Sequence, residues 1–281
     1  MITDTEIAAF YDWLSRSVQV TNWVAYRDRF ASFTMHKRLH AEPNGRRTAG
    51  VEYVNDRVLD AAGLGAGAHV LDAGCGFGGT VFHWHGRIGG RYEGVTISPV
   101  QHRIAVREAR RRGIGAACRF RVQSYDDPLG GGFDAVVAIE SLIHSSDLGH
   151  TVANLAAALR PGGTLLVLDD MATGDLDSRR PREAGLLRTH WGCGRYPTEH
   201  DYREAITSAG LRLTGDEDLS PLMRPRPDGD LDRLEATYAR LHRTLAVRPV
   251  RTVVSAFLGG IALERLHASG DVRYRLLVAR A

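Results

Sequence analysis

From residue 69 onward, short apolar runs alternate with helical stretches, a pattern that points to a parallel sheet covered by helices. HVLDAG (69–74), RYEGVTI (91–97), CRFRVQS (118–124), FDAVVAIE (133–140) and GTLLVLDDM (163–171) read as five successive strands. Helices are expected near 79–88, 99–112 and 149–159. Right-handed crossovers then align the carboxyl ends of the strands along one edge, where ligands of such sheets bind. LRLTGDEDL (211–219) and DVRYRLLVA (271–279) are two further strand patterns, separated by long helical patterns at 230–247 and 250–267. Residues 1–50 read as mainly helical and rich in aromatics, among them Tyr11, Trp13, Trp23, Tyr26, Phe30 and Phe33.

The first strand runs into VLDAGCGFGGT (70–80), in which Gly74, Gly76 and Gly79 satisfy G-x-G-x-x-G. Many tight strand-to-helix turns share that spacing, so the glycines alone do not name a ligand. The acid is more informative. A pyrophosphate docks on unobstructed N–H groups at a helix N-terminus, and Asp72, two residues ahead of Gly74, would repel it. An ammonium or sulfonium has the opposite preference, so Asp72 beside bare glycines favours a cationic, zwitterionic ligand.

Composition excludes several classes. At 281 residues, 43% hydrophobic and 25% charged, the chain suits a large globular domain. No apolar run reaches the length of about 18 residues needed to span a bilayer. The polar start MITDTEIAAFYDWL does not resemble a secretory leader, so a cytoplasmic protein without a membrane partner is expected. Cys75, Cys118 and Cys193 form no C-x-x-C pair and are read as reduced thiols. The net charge of +3 includes clusters such as REARRRG (107–113), which reads as a solvated helix face. No nucleic-acid module accompanies it, so no nucleic-acid partner is expected.

LDAGCG (71–76) resembles motif I of the class I S-adenosylmethionine-dependent methyltransferases, and the resemblance runs from about residue 50 to 170. GVTISPVQ (94–101) is similar to the second-strand motif of the small-molecule C-methyltransferase branch, which includes tocopherol, cyclopropane-fatty-acid and prenyl diphosphate methyltransferases. LRPGGTLLVLDD (159–170) resembles the segment leading into the fifth strand of these enzymes. The resemblance implies an α/β, Rossmann-like, seven-stranded, mostly parallel doubly wound sheet with a helical lid. Residues 1–50 would form the lid, and 51–281 the S-adenosylmethionine-binding domain with substrate caps inserted around 171–205 and 225–268. It also implies cofactor contacts from Asp72, Gly74, Gly76, Gly78 and Ile139, with Thr96 and Gln101 at the ribose. Ser124 and Tyr125 of QSYDD (123–127) would lie on the adenine side. Glu93, mid-strand, is a weaker candidate for the ribose.

AIESLIHSSD (138–147) follows the fourth strand at the reacting end. Glu140 falls where the related C-methyltransferases carry a glutamate. Methylating an alkene leaves a carbocation, which a carboxylate and aromatic faces stabilise and a base then deprotonates. A structural role for Glu140, capping a helix or pairing with an arginine, competes with that reading. His144 lies where O-methyltransferases often place a base. FTMHKRLH (33–40), GRR (45–47), RRPRE (179–183) and RTHWGCGRY (188–196) suit an acceptor that is anionic at one end and apolar at the other. Tyr26, His36, Lys37, Arg38, Asp170, Trp191 and Tyr196 are the candidate substrate contacts, and Asp169 with Asp170 could help hold Mg²⁺ on a diphosphate. The expected enzyme C-methylates a prenyl diphosphate in specialised metabolism, as a monomer or homo-oligomer. The alternative is an O- or N-methyltransferase for an aromatic or polyketide-like molecule, with His144 as base. The histidine-rich N-terminal stretch of geranyl diphosphate 2-methyltransferases is missing here.

Overall fold

The computed structural model describes residues 4–26, 33–41, 48–245 and 247–281. The chain runs α1 (Asp4–Tyr26), β1 (Leu39–Ala41), β2 (Thr48–Gly50), α2 (Val51–Ala62), β3 (His69–Ala73), α3 (Gly79–Ile88) and β4 (Arg91–Thr96). It continues through α4 (Pro99–Arg111), β5 (Cys118–Val122), β6 (Phe133–Ile139), α5 (Leu148–Ala157), β7 (Leu159–Ala172), α6 (Leu176–Arg179) and α7 (Pro181–Trp191). Last come α8 (Glu199–Ser208), β8 (Arg212–Asp218), α9 (Asp228–Thr244), α10 (Arg248–Ala268) and β9 (Val272–Arg280).

Seven strands form one sheet in the order β5-β4-β3-β6-β7-β9-β8. β5, β4, β3, β6 and β7 pair in parallel, and β9 runs antiparallel to both β7 and β8. This is the seven-stranded, mostly parallel fold expected from the sequence. Alternate residues of each central strand feed opposite apolar layers. Val70 and Val137 pack with Val54, Val58 and Trp84 on one face. Leu71 and Val136 pack with Val152, Leu155, Tyr202 and Ile206 on the other. Burial on both faces explains why β6 and β7 read as continuous apolar runs. A third cluster, with Leu187, Tyr196, Leu263 and Leu266, joins α7 and α10 to the sheet end. α1 packs against α10 and α4.

Of the described residues up to 50, Asp4–Tyr26 is helical as expected and the others are not. Phe33–Arg38 has neither helix nor strand, and β1 pairs with β2 as a small antiparallel hairpin. The reason is close approach. A Cβ on Gly79 would sit 2.6 Å from the Thr34 backbone, so the strap lies flat on the start of α3, closer than a helix could come. A buried polar chain fixes it there: Thr80 Oγ1 donates to Asn55 Oδ1 (3.0 Å), and Asn55 Nδ2 donates to Thr34 Oγ1 (3.1 Å). GRR (45–47) lies outside the described residues.

Candidate active site

β4 and β6 leave β3 on opposite sides, which makes the carboxyl end of β3 the switch point of the sheet. A cavity of about 240 Å³ lies there, floored by the glycine turn and roofed by Ile7 and Tyr11 of α1 and by Phe33–His36. Gly74 and Cys75 N–H groups both donate to the Val95 carbonyl (3.0 and 2.9 Å), which ties the turn to β4. Gly74, at φ +91°, has no room for a side chain: a Cβ would fall 2.4 Å from Ser141 Cβ. Gly76, at φ +52°, faces open space, with Met35 Sδ at 4.0 Å the nearest atom to a Cβ there.

Gly74, Gly76, Thr96, Gln101, Tyr125, Ile139, Glu140, His144 and His36 line this one cavity. Thr96 Oγ1 donates to Gln101 Oε1 (2.7 Å), and the Tyr125 hydroxyl donates to the Ser141 carbonyl (2.9 Å). Other candidates lie elsewhere. Asp72 is buried behind the turn, and burial pushes its carboxyl up to about 7. Gly78 is the left-handed residue opening α3 and faces Phe120 and Phe82, leaving the cavity wall to Gly79. Ser124 accepts the Asp126 N–H, while its neighbours Gln123 and Tyr125 reach the cavity. Glu93 is near His69 and Arg121 (3.5 and 3.2 Å), away from the cavity. Arg38 is exposed. The Trp191 indole donates to the Ala256 carbonyl (3.0 Å), and Tyr196 is buried in the α7–α10 cluster, so neither lines the cavity. Tyr26 ends α1, and its side chain lies outside the described part.

Glu140 is the most unusual residue at the site. Among the described residues, no other non-glycine residue has a positive φ (51°), a conformation costing about 1–2 kcal/mol. Its N–H donates to the Leu168 carbonyl (2.8 Å), which holds the turned backbone to β7. Oε1 accepts from the Tyr274 hydroxyl and from the Lys37 backbone N–H, both at 2.8 Å. Lys37 Nζ is 3.4 Å from Oε2 and also contacts Asp170. Asp170 in turn meets His267 Nε2 at 2.8 Å. Burial pushes the Asp170 carboxyl up, but Lys37 and His267 overcome that and hold it below its ordinary value.

This network bears on two expectations. Lys37 Nζ, expected at a substrate diphosphate, contacts two carboxylates, those of the buried Asp170 and the partly exposed Glu140. Asp169 accepts the Leu142 and Asp170 N–H groups (3.0 and 2.9 Å), and Asp170 is held by Lys37 and His267. Neither belongs to a metal-binding cluster among the described residues. Tyr274 and His267 were not singled out from the sequence, since RYR in an ordinary strand and a histidine ending α10 carry no motif.

His144 meets the Tyr11 hydroxyl through Nε2 (2.8 Å), and its buried Nδ1 has no hydrogen-bond partner among the described residues. Burial lowers its pKa to about 4, so the ring is neutral at pH 7. Burial likewise raises the Tyr11 pKa, keeping that phenol protonated.

Comparison with known proteins agrees with this architecture. A methyltransferase-domain family matches residues 46–215. The chain belongs to this methyltransferase family. It is a class I, S-adenosylmethionine-dependent member. It is 31% identical over 173 residues to the O-methyltransferase cnsE of Penicillium expansum, the match covering 59% of either chain. To the 27-O-demethylrifamycin SV methyltransferase of Amycolatopsis mediterranei it is 31% identical, over 65% of this chain and 68% of that one. Geranyl diphosphate C-methyltransferase from Streptomyces coelicolor superposes with a TM-score of 0.71, covering 99% of this chain and 97% of that one. At 21% identity that likeness carries the fold alone.

Proposed function

We propose that this methyltransferase acts in secondary metabolism and transfers a methyl group to an alkene carbon of an apolar, isoprenoid-type acceptor, with Glu140 as the catalytic carboxylate. One observation carries the reading: a carboxylate held in a strained backbone conformation by Tyr274 and Lys37 faces the cavity beside the glycine turn. Buried groups otherwise avoid such strain, and it concentrates at functional sites.

The glycine turn fits S-adenosylmethionine. Gly76 lacks the Cβ that would intrude on the cavity, and Thr96, Gln101 and Tyr125 line it, where the first two would meet the ribose hydroxyls and Tyr125 the adenine. Asp72 is a buried acid with burial as the cause of its raised pKa, and a cationic ammonium nearby would stabilise its charge. When bound, the cofactor supplies an electrophilic methyl group.

Binding should depend on pH with a definite sign. Between its ordinary value of 3.8 and about 7, Asp72 holds a proton in the folded chain that the unfolded chain has released. The free protein therefore loses stability from this group as pH rises through that window. A ligand ammonium favours the ionised form, so affinity for S-adenosylhomocysteine should rise with pH up to about 7, by at most about tenfold per unit, and then level off. Titration calorimetry on the parent and on Asp72→Asn checks this. A pH-independent parent would remove Asp72 from the cofactor site.

On the acceptor, the alkene π electrons would form the new bond to the methyl carbon as its bond to the cofactor sulfur breaks with the electron pair left on sulfur, and a cation would remain on the neighbouring carbon. Glu140 stabilises that charge at short range. It then takes a proton from the adjacent carbon, whose C–H electrons restore a double bond. Lys37 and Tyr274 act as positioning residues that aim the carboxylate. Ile7, Phe33, Met35 and Ile139 supply apolar wall for a hydrocarbon chain and exclude water.

A second reading rests on His144. A neutral imidazole bonded to Tyr11 could draw a proton from an acceptor hydroxyl through the phenol, which suits O-methylation, and the relatives named above include an O-methyltransferase. One assay separates the two. The protein is incubated with methyl-labelled S-adenosylmethionine and a panel of prenyl diphosphates, the matching prenols, phenols and amines. NMR then locates the label. Methyl on carbon of a prenyl acceptor supports the first reading, while methyl on phenolic oxygen replaces it with the second. Equal turnover of prenol and diphosphate would remove the diphosphate from the acceptor.

A further inference from the structure

The α9–α10 hairpin carries a surface that the candidate active site does not use. Among the described residues, the exposed large apolar side chains are Met35, Val122, Leu241, Val247, Val250 and Phe257, and the last four share this hairpin. The Tyr238 and Phe257 rings stack with centroids 5.0 Å apart and planes within 4°, joining the two helices. Leu241 follows Tyr238 by three residues along α9, and Val250 precedes Phe257 by two turns along α10. Both helices thus bring apolar residues from the ring stack toward the connection that holds Val247.

Charge is segregated along the same hairpin. At its base, Asp232, Glu235 and Glu264 are neutralised by Arg265, Arg182 and Arg226. From residue 236 to 263 the sequence has no acid, only Arg240, Arg243, Arg248 and Arg251. Arg240 and Arg243 are exposed, with no ion pair to any described residue. We infer that this hairpin tip docks the protein on an anionic lipid bilayer. Arginines bind lipid phosphates, and Leu241, Val247, Val250 and Phe257 enter the interface between headgroups and acyl chains. A second copy of the chain fits less well, because a two-fold contact through this tip sets arginine against arginine. No helix among the described residues is long and apolar enough to cross a membrane, so the attachment is peripheral. α10 also packs on α1, which supplies Ile7 and Tyr11 to the cavity roof. Docking here brings an apolar acceptor dissolved in the lipid close to the site.

Co-sedimentation of the full chain with vesicles tests this without needing an acceptor. The protein is expected to pellet with phosphatidylcholine vesicles containing phosphatidylglycerol, to stay in solution with phosphatidylcholine alone, and to be released by salt. Phe257→Glu and the double change Arg240→Glu, Arg243→Glu should each raise the lipid concentration for half binding by about tenfold or more. Unchanged affinity for S-adenosylhomocysteine reports that the variants are folded. No pelleting with anionic vesicles, equal pelleting with neutral ones, or variants that pellet like the parent would overturn the inference. So would self-association in light scattering that both variants abolish while the parent ignores lipid.

Discussion

Glu140→Gln is expected to bind S-adenosylhomocysteine like the parent yet lower kcat by about 10²–10⁴-fold, with a much smaller change in acceptor KM. Glutamine keeps the size of the side chain and can still accept from the Tyr274 hydroxyl and the Lys37 N–H. It loses the negative charge and the base, both of which matter mainly once the acceptor carbon turns cationic. Lys37→Met should give a smaller loss in the same direction, because Lys37 aims the carboxylate from the 3.4 Å contact with Oε2. His144→Gln should do the least damage if methyl goes to carbon. Single-turnover rates on all three variants decide the matter. An active Glu140→Gln beside an inactive His144→Gln would replace carbocation chemistry with proton removal from a hydroxyl.

Gly76→Val should abolish cofactor binding, with affinity for S-adenosylhomocysteine falling by more than about 100-fold while the chain still unfolds cooperatively. A Cβ at this position meets nothing closer than Met35 Sδ at 4.0 Å, so its branches occupy the space that the ligand needs. The positive φ adds a cost of about 1–2 kcal/mol, which a domain of this size tolerates. Gly74→Ala is the contrasting control. Its Cβ would overlap Ser141 Cβ at 2.4 Å, in a backbone conformation that disfavours any side chain. Overpacking and backbone strain together should cost about 2–4 kcal/mol, seen as a lower melting temperature. Calorimetric titration and thermal denaturation separate the two glycines. Parental affinity in Gly76→Val would move the cofactor off this turn.

The sequence by itself determined the sheet. Strands buried on both faces need apolar residues at every position, and the helices between them need one apolar stripe, so both periods are written locally from residue 69 onward. The glycine turn and the acid ahead of it were legible for the same reason: a tight turn and a left-handed φ exclude most side chains. Tertiary structure decided the polar geometry. Lys37, Glu140, Asp170, His267 and Tyr274 come from five separate stretches of chain, and no local pattern relates residue 37 to residue 274. A lysine among histidines and arginines therefore read as a substrate cradle, although folding buries it between two carboxylates. The strap Phe33–Arg38 departed from its helical expectation because contact with Gly79 and Asn55, distant in sequence, outweighs local propensity. Periodicity records which face of an element is buried. It carries no record of which buried charge will meet which, since that depends on how the elements pack.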